Sequence, residues 1–289
     1  MFDLDVYLAE RRRVVQAALE AEMPPATAPP AMLHSAMRYS VFSGGKRLRP
    51  ILCLAAGEAA GGTPAAALRP ALAVELLHTY TLIHDDLPCM DNDDLRRGRP
   101  TSHKVFGEAN AVLAGDALQA LAFELAARTV PPAAYPVAAL VAELAAAAGS
   151  RGVVGGQVED LAAAGQAVTA ARLEFIHRHK TADLFRAALR MGAMCGNAGA
   201  AELAALTAYG VNLGLAFQIA DDLLDAPPAG APPPPGKTEL TCLAVWTPAE
   251  ARAKAEALAA AATRALDGTD PARSEPLIAI ARYVIARDQ

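Results

Sequence analysis

Eight aspartates fall in two short stretches of otherwise apolar sequence, and they are the residues most able to do chemistry. The first stretch, HDDLPCMDNDD over 84–94, holds Asp85, Asp86, Asp91, Asp93 and Asp94 beside Leu82, Ile83, Leu87 and Met90. The second, FQIADDLLD over 217–225, holds Asp221, Asp222 and Asp225. In the second, the spacings i,i+4 and i,i+3 let a helix project all three carboxylates to one side. Asp85 and Asp91 do not share a face on an ideal helix of about 3.6 residues per turn. Pro88, four residues beyond His84, should end or kink that helix and can bring the two together. Carboxylates crowded among hydrocarbon side chains repel one another and lose hydration unless cations neutralise them. Mg²⁺ suits such a place, because it takes carboxylate and water oxygens and binds through one or two carboxylates plus substrate phosphates. One such stretch alone reads as a solvated acidic helix end; two, each embedded in apolar sequence, read as a metal site. An EF-hand is excluded, since 85–96 lacks the spaced ligand order and central glycine of that loop.

Basic residues complete the pattern. Lys46, Arg47 and Arg49 follow Gly44 and Gly45, and Arg96, Arg97 and Arg99 follow the first acidic stretch. Lys180 lies in HRHKT, and Lys237 follows the proline-rich segment APPAGAPPPPG over 226–236. Arginine and lysine donors suit phosphate oxygens, and glycines let backbone approach them closely. The chain therefore offers metal ligands for one diphosphate and bare cations for a second, with an apolar lining between.

The elements that must position these groups are helices. Hydrophobic residues make up 53% of the 289 residues and aromatic residues only 5%, with much of the apolar share supplied by alanine, the best helix former. Helical patterns run over 3–22, from Ala31 to the Gly44-Gly45 pair, after Pro50, and over 68–87, where Leu72, Leu76, Leu77, Tyr80 and Ile83 form a broad stripe ending at Asp85 and Asp86. Others fit 108–129, 133–148, 157–164 after a glycine-rich interruption, 169–177, 181–195, 200–224, 248–267 and 276–287. No linker divides the chain, so the expectation is all-α: one domain over 1–289, a single large bundle of about ten or more helices. The net charge of −5 leaves no general nucleic-acid footprint. The four cysteines show no zinc or redox spacing, and nothing asks for an oxidising compartment. The first residues lack the apolar run of a signal peptide, and Ala138–Ala148 is too short for a span, so a cytoplasmic protein that is not integral to a membrane is expected.

At GGKRLRP (44–50), LLHTYTLIHDDLPCMDNDDLRRGRPTSH (76–103), GEANAVLAGDALQALAF (107–123), GGQVEDL (155–161), IHRHKTADLFRAA (176–188) and FQIADDLLD (217–225) the chain resembles the trans-isoprenyl diphosphate synthases (polyprenyl synthetases), most of all the bacterial short-chain farnesyl diphosphate synthases. The resemblance implies an isoprenoid-synthase bundle around a deep central cavity, usually a homodimer. It implies three Mg²⁺ ions: two held by Asp85, Asp86 and Asp91 on an allylic diphosphate, and a third by Asp221 with Asp222 and Asp225 nearby. Arg96, Lys180 and Lys237 would grip the same diphosphate; Lys46, Arg49, His78 and Arg97 would hold isopentenyl diphosphate without metal. Lys180, Thr181 and Gln218 would stand at the ionising carbon. An aromatic at Tyr80, five residues before Asp85, together with the two extra residues between Asp86 and Asp91, goes in that family with a C15 product, farnesyl diphosphate. The alternatives within the fold are a geranylgeranyl or geranyl diphosphate synthase, and a weakly active or regulatory subunit. A terpene cyclase would have no need of the Lys46, Arg49, His78 and Arg97 group. One region departs from the family: 226–236 replaces a glycine-, lysine- and aspartate-containing stretch that helps close the site, although Gly236, Lys237 and Thr238 remain.

Overall fold

A computed structural model describes residues 2–226 and 240–286. Its helices are α1 (Leu4–Glu22), α2 (Ala31–Val41), α3 (Leu48–Ala59), α4 (Pro64–Asp85), α5 (Ser102–Phe106), α6 (Glu108–Ala127), α7 (Val137–Ala148), α8 (Val153–Ala163), α9 (Ala170–Ile176), α10 (Asp183–Cys195), α11 (Ala200–Leu224), α12 (Pro248–Ala265) and α13 (Pro271–Ala286). The expected all-α bundle is observed. The sheet among the described residues is one hairpin of two-residue strands, β1 (Leu95–Arg96) and β2 (Arg99–Pro100), which period-two patterning could not reveal at that length.

The ends of the helices follow from local chemistry. Asp3 caps α1 by accepting from the Val6 N–H at 3.1 Å, and Thr247 and Glu250 form a reciprocal capping box on α12. Pro64 opens α4, where its missing N–H costs nothing, and the helix stops at Asp85, three residues short of Pro88. Burial on all sides, rather than on one stripe, makes α4 the central helix; Leu72, Leu76, Leu77 and Tyr80 are all in the core. It packs between α3, α6 and α10. Alanines fill these contacts, and at the crossing of α3 and α10 a β-carbon on Gly192 would overlap the backbone of Cys53. Cys53, Cys195 and Cys242 are buried as small core residues, and Cys89 is exposed.

Of the boundaries that differ from the sequence reading, three change the layout. The glycine-rich interruption is shorter than expected, because Gly155 and Gly156 lie inside α8. The segments 169–177 and 181–195 form one continuous helical rod, in which His177–Ala182 is a π-helical turn between α9 and α10. The last helix begins at Pro271 rather than near 276. Two apolar stretches, Val137–Ala163 and Ala200–Leu224, are long enough by composition to cross a membrane. The first is broken between α7 and α8, whose lengths of 12 and 11 residues fall short of a span, and α11 packs inside the bundle against α10 and α12.

Candidate active site

A cavity of about 760 Å³ opens where α3, α4, α8, the π turn and α11 converge. Its lining brings together Asp85, Asp91, Arg96, Lys180, Thr181, Gln218, Asp221, Asp222 and Asp225 on one side of the expected chemistry, and Lys46, Arg49, His78 and Arg97 on the other. Leu48, Leu82, Val153, Ile176 and Phe217 supply hydrocarbon between them. Lys237 lies outside the described residues, as does most of the proline-rich segment.

At the end of α4 the chain folds back so that the Asp91 N–H donates to the Asp85 carbonyl at 2.9 Å. This turn, imposed by Pro88, is what sets Asp85 and Asp91 on the same cavity. Burial pushes the Asp85 carboxyl up to about 7; Lys180 pulls it back and Asp91 adds to the rise. Asp86 is placed differently from Asp85 and Asp91. It is 3% exposed, accepts from Arg96 Nε at 2.5 Å, and lines a separate small pocket with Tyr39, Thr79 and Arg99. Successive residues at a helix end point about 100° apart, so Asp85 and Asp86 cannot both face the cavity while α4 stays regular.

The π turn delivers the next two groups. A π-helical insertion changes the register of a rod, and here it carries Lys180 and Thr181 to the cavity. A β-carbon on Gly156 would overlap the Lys180 backbone, so glycine is what lets α8 come this close. Lys180 Nζ donates to Asp160 Oδ2 at 2.6 Å. Burial works against the Lys180 ammonium, but Asp160 and Asp85 outweigh it and raise its pKa. Thr181 Oγ1 donates to Gln218 Oε1 at 2.6 Å, and Gln218 Nε2 donates to Asp222 Oδ1 at 2.8 Å. The other Asp222 oxygen accepts from the Cys242 N–H at 2.7 Å and lies 3.4 Å from His177 Nε2. Asp222 thus orients Gln218 and anchors the chain at Cys242 while also lining the cavity. Asp221 and the exposed Asp225 remain at the cavity on the same helix.

The basic wall assembles from three distant pieces of sequence. Arg97, at φ +53° in the hairpin turn, lays its guanidinium across Gly45 and donates to the Gly44 carbonyl. Arg49 Nη1 donates to His78 Nε2 at 3.2 Å, and its guanidinium lies 4.7 Å from the Phe185 ring centre. Burial, then Arg49 and Arg97, push His78 well below its ordinary range, so it is a neutral imidazole. Because arginine only donates, Nε2 accepts and the ring proton sits on Nδ1. Arg47 behaves differently from its neighbours. It is 4% exposed and ion-paired with buried Glu75 at 2.5 Å, which makes it part of the frame.

Sequence reasoning missed Asp160, Gln157, His177 and Glu75. The signal for the first two was GGQVEDL, whose Gln157 and Asp160 stand i,i+3 on α8. Gln157 lines the cavity with both amide atoms buried and unpartnered.

Among the described residues, no three His, Cys, Asp or Glu side chains converge closely enough to cage an ion. The donor set nonetheless fits Mg²⁺, which needs only one or two carboxylates when phosphate and water oxygens complete its shell. Asp85 and Asp91, at the end of α4 and the turn after it, and Asp221 and Asp225, at the end of α11, bring two such carboxylate pairs to one cavity.

The polyprenyl synthetase family pattern matches residues 30–231, which spans both acidic stretches and every cavity element from α3 to α11. A geranylgeranyl pyrophosphate synthase from Catharanthus roseus is 44% identical over 297 residues, covering 99% of this chain and 82% of that one. The heterodimeric geranylgeranyl pyrophosphate synthase large subunit 1 of Arabidopsis thaliana is 44% identical over 99% of this chain and 80% of its own. Among solved structures, an FPP/GFPP synthase from Zymomonas mobilis superposes with a TM-score of 0.89 at 39% identity, over 98% of this chain and 99% of that one. A helical cavity lined by two carboxylate pairs and a separate group of cations, carried by these motifs, belongs to one family, and this chain is a member of it: the polyprenyl synthetases.

Proposed function

We propose that the chain condenses isopentenyl diphosphate head to tail with dimethylallyl and then geranyl diphosphate, giving farnesyl diphosphate as its main product. The observation that carries this reading is the pair of unlike anion sites lining one cavity: the carboxylates of Asp85, Asp91, Asp221 and Asp225, and the group Lys46, Arg49, His78 and Arg97. Two diphosphates held differently is what a transfer between an ionising donor and a non-ionising acceptor requires. Mg²⁺, three ions in the reading adopted here, would be held by the wall carboxylates and would supply charge neutralisation for the departing diphosphate. Arg96 and Lys180 add donors beside these carboxylates; Lys237, outside the described residues, joins them only by the resemblance. Neutral His78 donates through Nδ1–H and leaves the cationic work to Arg49 and Arg97. The oxygens of Thr181 and Gln218, fixed by Asp222, present lone pairs beside the carbon that carries positive charge after ionisation. The hydrocarbon lining keeps water from that carbon. Loss of a proton from the adduct, with the departed diphosphate as base, completes the condensation.

Removing metal tests the first half. Turnover is expected to vanish in excess chelator and to return on adding Mg²⁺, with the helical circular dichroism unchanged throughout. The basic wall is tested by Arg97→Ala, which should raise KM for isopentenyl diphosphate by about tenfold or more, the scale of one lost charge-assisted contact, with KM for the allylic substrate little changed. An effect confined to the allylic substrate would reverse the assignment of the two walls.

Product length rests on Tyr80. It lies five residues before Asp85, about 7.5 Å down the helix axis, where a prenyl tail anchored at the aspartates would be stopped. Its ring is buried in the apolar core with Leu76 of α4 and Leu118 of α6, while the next residues, Thr81 and Leu82, line the cavity. A second reading, geranylgeranyl diphosphate as product, is favoured by the relatives named above, two of which carry that name. Chromatography of dephosphorylated products with excess isopentenyl diphosphate separates the two: C15 from the wild type and longer chains from Tyr80→Ala support the first. Mainly C20 from the wild type supports the second. We further propose a homodimer; the name of the Arabidopsis relative makes a mixed pair the alternative, and sedimentation of the purified chain distinguishes them.

A further inference from the structure

Two amide side chains among the described residues line the cavity, and they stand in opposite states. Gln218 is held at both ends: its oxygen accepts from Thr181 and its nitrogen donates to Asp222. Gln157 is 9% exposed, and neither its Oε1 nor its Nε2, both buried, has a hydrogen-bond partner. An amide kept from water with both atoms unpaired costs stability, and native proteins keep few such groups. They keep them at functional sites, where a ligand completes the bonding.

The position of Gln157 on α8 points to the ligand. Val153, Gln157 and Asp160 stand at i, i+4 and i+7 on one face of that helix, and all three line the cavity. Val153 belongs to the large apolar cluster that also holds Ile83 and Leu87. Asp160 accepts from Lys180 Nζ at 2.6 Å. Along the helix axis, Gln157 lies about 6 Å from Val153 and about 4.5 Å from Asp160. Its amide therefore sits where the hydrocarbon end of the face passes into the charged end. Beside it, a β-carbon on Gly156 would overlap the Lys180 backbone, so this turn of α8 is pressed against the residue that supplies the cation. The other basic group comes from different elements: Lys46 precedes α3, Arg49 is on α3, His78 on α4 and Arg97 in the hairpin turn. α8 packs instead on the π turn, α9 and α7.

Resting on the reading of the acidic side as the allylic diphosphate site, we propose that Gln157 is a further binding residue of that site, its Nε2–H donating to a phosphate oxygen beside Lys180. A neutral donor of this kind adds a hydrogen bond to the anion without adding charge. The same amide is unfavourable by itself and favourable with the diphosphate, so removing it should separate stability from binding.

Gln157→Leu and Gln157→Met test this, since both keep the bulk of the side chain and remove its two polar atoms. Without substrate, each should melt at or above the wild-type temperature, because no buried amide is left unpaired. Calorimetric titration in Mg²⁺ uses dimethylallyl thiolodiphosphate, whose carbon–sulfur bond resists ionisation. Its binding should weaken by about tenfold or more, the factor of one hydrogen bond to a charged group. Binding of isopentenyl diphosphate should be unchanged. Melting temperatures lowered in both variants would make the amide structural and overturn the proposal, as would unaltered binding of the thiolodiphosphate. Weakened binding of isopentenyl diphosphate alone would put the amide at the other anion site and overturn it too. A wild type that does not bind the thiolodiphosphate sinks the reading of the acidic side, and this proposal with it. Should the branched leucine fail to fold, the unbranched methionine decides by the same measurements.

Discussion

Asp85→Asn and Asp221→Asn are expected to lower kcat by about 10³-fold or more, the scale of deleting one preorganised electrostatic group from a closed site, with helical circular dichroism unchanged. Asparagine preserves the shape of each side chain and removes the charge that holds a divalent ion. Each lies at or near the cavity end of its helix and is half-buried, so the fold is expected to survive the change. Asp222→Asn should behave differently. Its two oxygens accept from Gln218 and the Cys242 N–H, and an amide nitrogen in either position breaks a buried bond. That variant should lose thermal stability as well as rate. Steady-state kinetics with a melting curve on the three variants checks the distinction; equal losses of stability at all three would undo it.

Arg47→Leu is expected to be the most destabilising single change in the basic segment. It leaves Glu75 at 3% exposure with its ion-pair partner gone, and breaking a buried pair by removing one member costs about 3–5 kcal/mol. Against a total stability of about 5–15 kcal/mol, the melting temperature should fall by roughly 10 °C. Replacing both Arg47 and Glu75 by leucine should recover much of the loss, since two apolar groups leave no charge uncompensated. A variant that melts normally and binds isopentenyl diphosphate poorly would instead place Arg47 with Lys46 and Arg49 in the anion site.

Much of this arrangement was legible in the residues. The apolar periodicity of α4 and α11, the aspartates at their ends and the break at Pro88 located both acidic walls, and the resemblance grouped Lys46, Arg49, His78 and Arg97, which the cavity does bring together. What stayed hidden depends on contacts between segments far apart in sequence. Helical spacing puts Asp222 on the same side as Asp225, but only the return of the chain at Cys242, twenty residues later, takes up its second oxygen. Arg96 captures Asp86 because the hairpin folds back across the end of α4. Gly155 and Gly156 look like helix breakers, yet they sit inside α8 because the Lys180 backbone needs the space. The π turn at His177–Ala182 leaves no periodic mark in HRHKTA; packing against α8 and α11 selects it.

The most direct measurement of the central claim is transfer of label from isopentenyl diphosphate into a longer allylic diphosphate by the purified chain, with dimethylallyl diphosphate and Mg²⁺. The account predicts labelled geranyl and farnesyl diphosphate, formed only when all three components are present. Binding of both substrates with no elongation at any Mg²⁺ concentration would contradict it.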